Sequence, residues 1–353
     1  MIRVTRSGIG SSVISGISSP DNRCVLQIFL VTFPFFALIA AGYAAARGRV
    51  LPLDAIPGLN TFVLYFALPC MLFRFGARTP IAQLLDGSVA LVWGVCALIV
   101  VGAVVWGTRS ARIGWNDAAF GALVAAFPNT GFMGVPLLAA LLGPQVAGPV
   151  IITIAFDMVV TSSVCIALSR LDGADEHGAA KAMRQAMRGM FVNPLPWSML
   201  LGALVSAVQI KLPAPVADTI AMLADAASPA ALFTIGAVLA RSASLSRDHA
   251  LQFPDAPRHG LSRIGDVLPV VVVKLVAHPL LVFAVARGAM GLGLPISPMA
   301  LAAIVLVAAL PSASNVAMLA ERFGADNGRI ARIILWTTVA AFFSFPLAVA
   351  SIR

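Results

Sequence analysis

The sequence predicts an all-α integral membrane protein of ten transmembrane helices, arranged as two inverted repeats of five with broken fourth and ninth helices. Three observations predict it. Apolar residues make up 59% of the 353 and charged residues 11%, with a mean hydropathy of +0.94, a balance that soluble domains do not show. Ten apolar runs are long enough to cross the roughly 30 Å of hydrocarbon in a bilayer. The chain also matches itself at a shift of about half its length.

The runs fall at 25–46, 56–76, 86–107, 116–142, 146–169, 192–210, 216–240, 267–290, 298–320 and 329–351. Ahead of them, residues 1–24 carry Arg3, Arg6 and Arg23 around a Ser/Gly-rich stretch and read as a disordered tail or an overlong start of the reading frame, not a cleaved signal. The first five runs form a repeat over 25–170, a polar loop spans 171–190, and the other five fill 191–353, with a further polar connector at 241–266. The net charge of +9 would point to nucleic acid in a soluble protein. Here the basic residues lie between apolar runs, so they read as orientation signals and no nucleic-acid partner is expected. Fifteen Lys and Arg fall on one side and eight on the other, leaving Lys274 within a run. That asymmetry places both termini outside the cytoplasm of a multi-pass cytoplasmic-membrane protein. Cys24, Cys70, Cys96 and Cys165 stand singly, without disulfide or zinc spacing, and read as small hydrophobes; no metal site is expected.

At a shift of 160 residues "ALPCMLFRFGA" (67–77) lies over "ASPAALFTIGA" (227–237), matching Pro69 to Pro229, Phe73 to Phe233 and Gly76 to Gly236; Pro34 meets Pro194 and Gly42 meets Gly202. At a shift of 183 "LVAAFPNTG" (123–131) lies over "LVAALPSAS" (306–314), matching Pro128 to Pro311. Matches of Ala, Leu and Val mean little in so apolar a chain, but Pro and Gly matches in one order mean more. An odd number of spans per repeat makes the second enter from the opposite side, an architecture that recurs in secondary transporters.

The fourth run breaks at Pro128 and its mate, the ninth, at Pro311. Proline removes a backbone donor and disfavours the helical conformation of the residue before it, yet suits the first turn of a new half-helix. Each break therefore sets a half-helix N-terminus at membrane depth, where irregular backbone survives only inside protein or beside a water-filled cavity. Asn129, Thr130 and Gly131 in one break, and Ser312, Ser314 and Asn315 in the other, are the expected substrate-binding residues. Two facing N-termini suit a small anion.

With these residues in view, the chain resembles a known family. "FPNTGFMGVPL" (127–137), "LPSASNVAMLAERFG" (310–324) and "ILWTTVAAFFSFPL" (334–347) are similar to the auxin efflux carrier family, which includes plant PIN-type auxin carriers and bacterial malonate and organic-anion carriers. "NTFVLYFALPCMLF" (60–73), "ASPAALFTIGAVLA" (227–240) and "VKLVAHPLL" (273–281) fit the same pattern. The resemblance covers about 26–351. It implies breaks that cross at Pro128 and Pro311, a scaffold of spans 1, 2, 6 and 7, a moving domain of spans 3–5 and 8–10, and a homodimer through the scaffold. The long central loop of the plant carriers is absent, so the short bacterial type is implied. Glu321 and Arg322 follow the family pattern at the inner end of the ninth span.

Two charges lie deep in the runs. Asp157 in "ITIAFDMVVTSS" can take and release a proton, bind Na⁺, or serve only as a hydrogen-bond donor between helices. Lys274, with His278 one turn on, can neutralise Asp157, attract an anion or snorkel to an interface. These two are the ion-coupling candidates, for H⁺ or Na⁺, although membrane potential alone can drive the export of an anion. Tyr65, Thr337 and Thr338 can line a cavity or bond helix to helix. The function expected is a secondary carrier of a small mono- or dicarboxylate such as malonate, working by alternating access among membrane lipid and without a cofactor. Ion-coupled carriers of the bile-acid-symporter or cation/proton-antiporter type, and a non-transporting sensor, are the alternatives. An enzyme would need a nucleophile with a base or a cluster of metal ligands, and no catalytic residue is assigned.

Overall fold

The computed structural model describes residues 22–78, 86–110, 113–171, 194–252 and 264–352. The expected tail, apart from its last residues, and the loop at 172–190 lie outside them, as do the side chains of Glu321 and Arg322. Among the described residues the protein is all-helical: α1 (Asn22–Arg47), α2 (Leu53–Arg78), α3 (Gly87–Thr108), α4 (Trp115–Ala126), α5 (Thr130–Leu142), α6 (Ala147–Ser169), α7 (Pro194–Ala207), α8 (Ala214–Gln252), α9 (Gly265–Gly291), α10 (Pro298–Ala308), α11 (Asn315–Arg322) and α12 (Asn327–Ile352). Six stretches are long and apolar enough to cross a membrane: α2, α3, α6, Ala214–Arg241 within α8, α9 and α12; shorter apolar helices occupy Phe33–Arg47, Thr130–Leu142, Trp197–Ala207 and Pro298–Ala308.

Local chemistry sets the ends. Asp86 caps α3 by accepting from the Ser88 and Val89 amides, and Ser297 caps α10 by accepting from Ala300, with Pro298 at the first helical position. Gly143 and Gly293 turn the chain after α5 and α9 at φ 92°, where a side chain would be strained. One expectation needs correction. The segment 241–266 was expected to be a connector, yet α8 runs 39 residues to Gln252. The reason is composition: from Arg241 to Gln252 the chain has no Pro or Gly, and the next proline is Pro254.

The helices pack in two groups. In one, α1 lies against α8 and α2 against α7 and α8; in the other, α3 packs on α4, α6 and α9, while α10 meets α6 and α9. Close approach in the first group depends on four glycines. A Cβ on Gly42 would strike the Phe233 carbonyl and one on Gly236 the Ile39 carbonyl, so α1 and α8 touch backbone to backbone. Gly76 on α2 meets the Met199 carbonyl, and Gly202 on α7 meets the Phe73 carbonyl, in the same way. The core runs through both groups and has its longest unbroken stretches in the second: every residue from Ala118 to Ala126 and from Ala303 to Leu310 is buried, as expected of helices apolar all round. Large apolar side chains such as Phe62, Phe66, Leu200 and Leu204 are exposed on the first group, a surface suited to lipid. Cys96 and Cys165 are buried and Cys70 half-buried, all three as free thiols.

Candidate functional site

α4 stops at Ala126 because Phe127, ahead of Pro128, is extended at φ −95°, ψ 101°. α10 stops at Ala308, three residues before Pro311, and α11 resumes at Asn315. The two interruptions pair with each other. Pro128 and Ser312 form an isolated antiparallel bridge, flanked by hydrogen bonds from Asn129 N to the Pro311 carbonyl (2.8 Å) and from Ala313 N to the Phe127 carbonyl (3.0 Å). In this register the bridged residues themselves exchange no bond, so the missing N–H of Pro128 costs nothing. The pairing is offset by one from the Pro128-to-Pro311 match in sequence. Ser312 N consequently donates to Thr337 Oγ1 of α12 (3.2 Å), while Thr337 Oγ1 donates to the Ile334 carbonyl (3.0 Å). Thr337→Val is therefore expected to strand a buried amide and lower stability by about 1–3 kcal/mol, read as a fall in melting temperature of the purified protein.

The bridge brings Phe127–Asn129 alongside Pro311–Ala313. Asn129, Thr130 and Ser312 are buried, and Gly131, Ser314 and Asn315 are half-buried. Thr130 Oγ1 turns back to the Pro128 carbonyl (3.4 Å). Asn129 Oδ1, Ser312 Oγ and Asn315 Oδ1 are buried with no hydrogen-bond partner among the described residues. Such groups are rare because each costs about 1–3 kcal/mol. These three sit in the two breaks; other such atoms lie at Asp157, His278 and Arg329. Tyr65, by contrast, is 56% exposed on α2, and Thr338 is buried with its hydroxyl on the Ile334 carbonyl.

Asp157 and Lys274 are both fully buried, each in a widened turn: Asp157–Thr161 in α6 and Val273–Ala277 in α9. They form no direct ion pair. Asp157 Oδ1 accepts from Trp93 Nε1 (3.0 Å) and Thr161 Oγ1 (2.8 Å), whereas Oδ2 has no partner among the described residues. Lys274 Nζ donates to the Ala308 carbonyl (3.1 Å), at the last turn of α10, and lies 3.3 Å from His278 Nδ1. The His278 ring in turn lies 5.4 Å from the Trp93 ring. Full burial removes the snorkelling option for Lys274, and its bond to Ala308 ties the charge to the break.

Sequence reasoning missed Trp93, an indole within an apolar run that gives no signal of its own. It also treated Arg329 only as an orientation charge. Arg329 is 4% exposed; its Nη1 donates to the Asp117 carbonyl (2.7 Å), and Asp117 Oδ1 accepts from Asp326 N (2.7 Å). The guanidinium lies against Gly121, where a Cβ would meet it. This knot joins the start of α4 to the turn before α12. A cavity of about 590 Å³ elsewhere, lined by Val105, Trp106, Arg109, Trp115 and Leu168, includes no residue of the breaks.

Residues 27–349 match the protein family described as "Membrane transport protein". A Rhizobium meliloti protein named "Putative malonate transporter" is 31% identical over 315 residues, covering 89% of this chain and 92% of its own. The "Uncharacterized transporter YfdV" of Escherichia coli K12 is 25% identical over 298 residues, 82% of this chain and 86% of its own. "Auxin efflux carrier component 8" of Arabidopsis thaliana is 20% identical over 273 residues, 63% of this chain and 74% of its own. A match across nearly the whole chain, with the paired breaks inside it, shows that the protein is a membrane transporter belonging to the membrane transport protein family, that of the auxin efflux carriers.

Proposed function

We propose that this transporter is a secondary carrier that moves a small organic anion, a mono- or dicarboxylate such as malonate, across the cytoplasmic membrane by alternating access. Its ten spans form two inverted repeats over 25–170 and 191–353, joined by the loop at 171–190, with both termini outside. α4 with α5, and α10 with α11, are the two broken spans that cross. The grouping of α1, α2, α7 and α8 against the rest supports a scaffold, through which a homodimer forms, and a moving domain. The glycines support the repeat: Gly42 with Gly202 and Gly76 with Gly236 are matched pairs at the shift of 160, and each member of a pair makes the contact its mate makes.

The observation that carries the reading is the pairing of the breaks around Pro128 and Ser312, where the unpartnered Ser312 hydroxyl can donate to an anion and the Asn129 and Asn315 amides, their oxygens unpartnered, can do so by turning their NH2 inward. Asn129, Thr130, Gly131, Ser312, Ser314 and Asn315 bind the anion through side chains and the free amides that open α5 and α11. The Rhizobium meliloti relative's name directs the choice to malonate. Purified protein in liposomes is expected to take up labelled malonate, or another small carboxylate from a panel, saturably. Asn129→Ala is expected to cut that flux at least about tenfold, the effect of losing one charge-assisted hydrogen bond. Robust flux through Asn129→Ala would move the site away from the breaks, and no flux of any carboxylate would sink the organic-anion reading.

A further inference from the structure

We propose that Asp157 is a proton-binding site whose occupancy sets the charge next to the breaks, making the carrier a proton–anion symporter. The inference rests on the reading just given but deepens it, because it names the coupling ion. Three observations support it.

The first is the surroundings of the carboxyl. One oxygen of Asp157 is taken by two donors, Trp93 Nε1 and Thr161 Oγ1, and the other is buried without a partner. A hard metal cation takes about six oxygen ligands, and an indole N–H supplies none. The hydroxyl of Ser162 is already engaged, donating to the Asp157 carbonyl (2.8 Å). A proton on Oδ2 removes the buried charge and leaves both existing bonds in place. This chemistry separates H⁺ from Na⁺.

The second is charge balance. Among the described residues, the titratable groups that act on Asp157 or are acted on by it are Lys274 from α9 and the Cys165 thiol from its own helix; His278 lies against Lys274, and α3 brings the Trp93 indole. α10 contributes backbone and no titratable side chain, and α4 carries its one acid, Asp117, in its first turn against Asp326 N. α12 has its charges, Arg329 and Arg332, near its start. With Asp157 ionised and Lys274 charged, the cluster sums to zero. A proton on Asp157 leaves it at plus one.

The third is the path to the break. The extra charge resides on an ammonium 3.1 Å from the Ala308 carbonyl, three residues before Pro311. His278 Nδ1 lies 3.3 Å from that Nζ and accepts from it when Lys274 is charged. The protonated cluster therefore favours an anion between the breaks, and the ionised cluster favours its release. Each transport step then moves one proton with one anion, bound and released as such, with no covalent change.

Two measurements test this on the full chain. Infrared difference spectra of the reconstituted protein, titrated from neutral to acid pH, are expected to show a protonated-carboxyl band that vanishes in Asp157→Asn and is displaced in Trp93→Phe, which keeps the carboxyl and removes one of its donors. Uptake of labelled malonate, with the membrane potential clamped at zero, is expected to reach about a tenfold accumulation ratio per unit of pH difference, the worth of one proton. Asp157→Asn removes the titrating carboxyl, so it is expected to equilibrate malonate without accumulating it, while Asp157→Glu restores accumulation. The absence of an Asp157-dependent band, or accumulation driven by Na⁺ and indifferent to pH, would overturn the proposal. A band without flux of any carboxylate would keep the proton site and discard the organic-anion reading.

Discussion

Gly236→Val is expected to yield no monodisperse protein from detergent extracts. Position 236 sits where α8 crosses α1, and a Cβ there would meet the Ile39 carbonyl and crowd the Tyr43 amide. Those neighbours are backbone, which cannot rotate aside as a side chain does. The cost therefore exceeds the roughly 1–3 kcal/mol of ordinary core overpacking. Association of helices in lipid has no hydrophobic driving force between them and relies on close packing, so prying α1 from α8 removes what holds them. Gly288→Ala is the matched control, since a Cβ there meets nothing within 4 Å. It is expected to leave the size-exclusion profile and melting temperature unchanged. Normal folding of Gly236→Val would show that the two helices do not touch at this point.

Lys274→Met is expected to destabilise the purified protein by at least about 1–3 kcal/mol, the cost of leaving a buried acceptor without its donor. Two losses add. The Ala308 carbonyl loses the donor at 3.1 Å, and the carboxylate of Asp157 loses the nearest compensating positive charge. The second loss has a signature. Combining Lys274→Met with Asp157→Asn removes both charges, so the double variant is expected to be more stable than Lys274→Met alone, a non-additive result that a thermal melt reads directly. Acid pH neutralises Asp157 by protonation and is expected to narrow the gap between Lys274→Met and wild type. Equal penalties in single and double variants would mean that Lys274 acts only through the Ala308 carbonyl.

Much of the fold is visible in the sequence because lipid imposes one strong rule, that apolar runs become helices. α3 begins within one residue of the run at 86–107 and α6 within one of that at 146–169. The interruptions were legible as well, since Pro128 and Pro311 cannot sit in an unbroken ladder. The run of 241–252 as helix was not, because polarity alone does not end a helix when no breaker is present. At the site, sequence located the residues and not their pairing. The one-residue offset that sets Pro128 opposite Ser312 leaves the Ser312 amide to Thr337, a residue on α12 that carries no signal of this role in the sequence. The separation of Asp157 from Lys274 by Trp93 and His278 was likewise hidden, because side-chain order across three helices has no period in the chain. Arg329 shows the reverse limit: a charge near a span end reads as an orientation signal, whereas here it is buried against Gly121.

The bridge between the breaks also fixes an order of events during synthesis. Phe127 offers its carbonyl, and Asn129 its amide, to groups on Ala313 and Pro311 that leave the ribosome more than half a chain later. Until then the first interruption lies in or near lipid with those groups unsatisfied, or answered by water drawn in beside it. The early half can insert but cannot settle. Maturation therefore waits on the last third of the chain, and a truncated product ending before Pro311 is left open at its centre, a ready target for the quality-control proteases of the membrane.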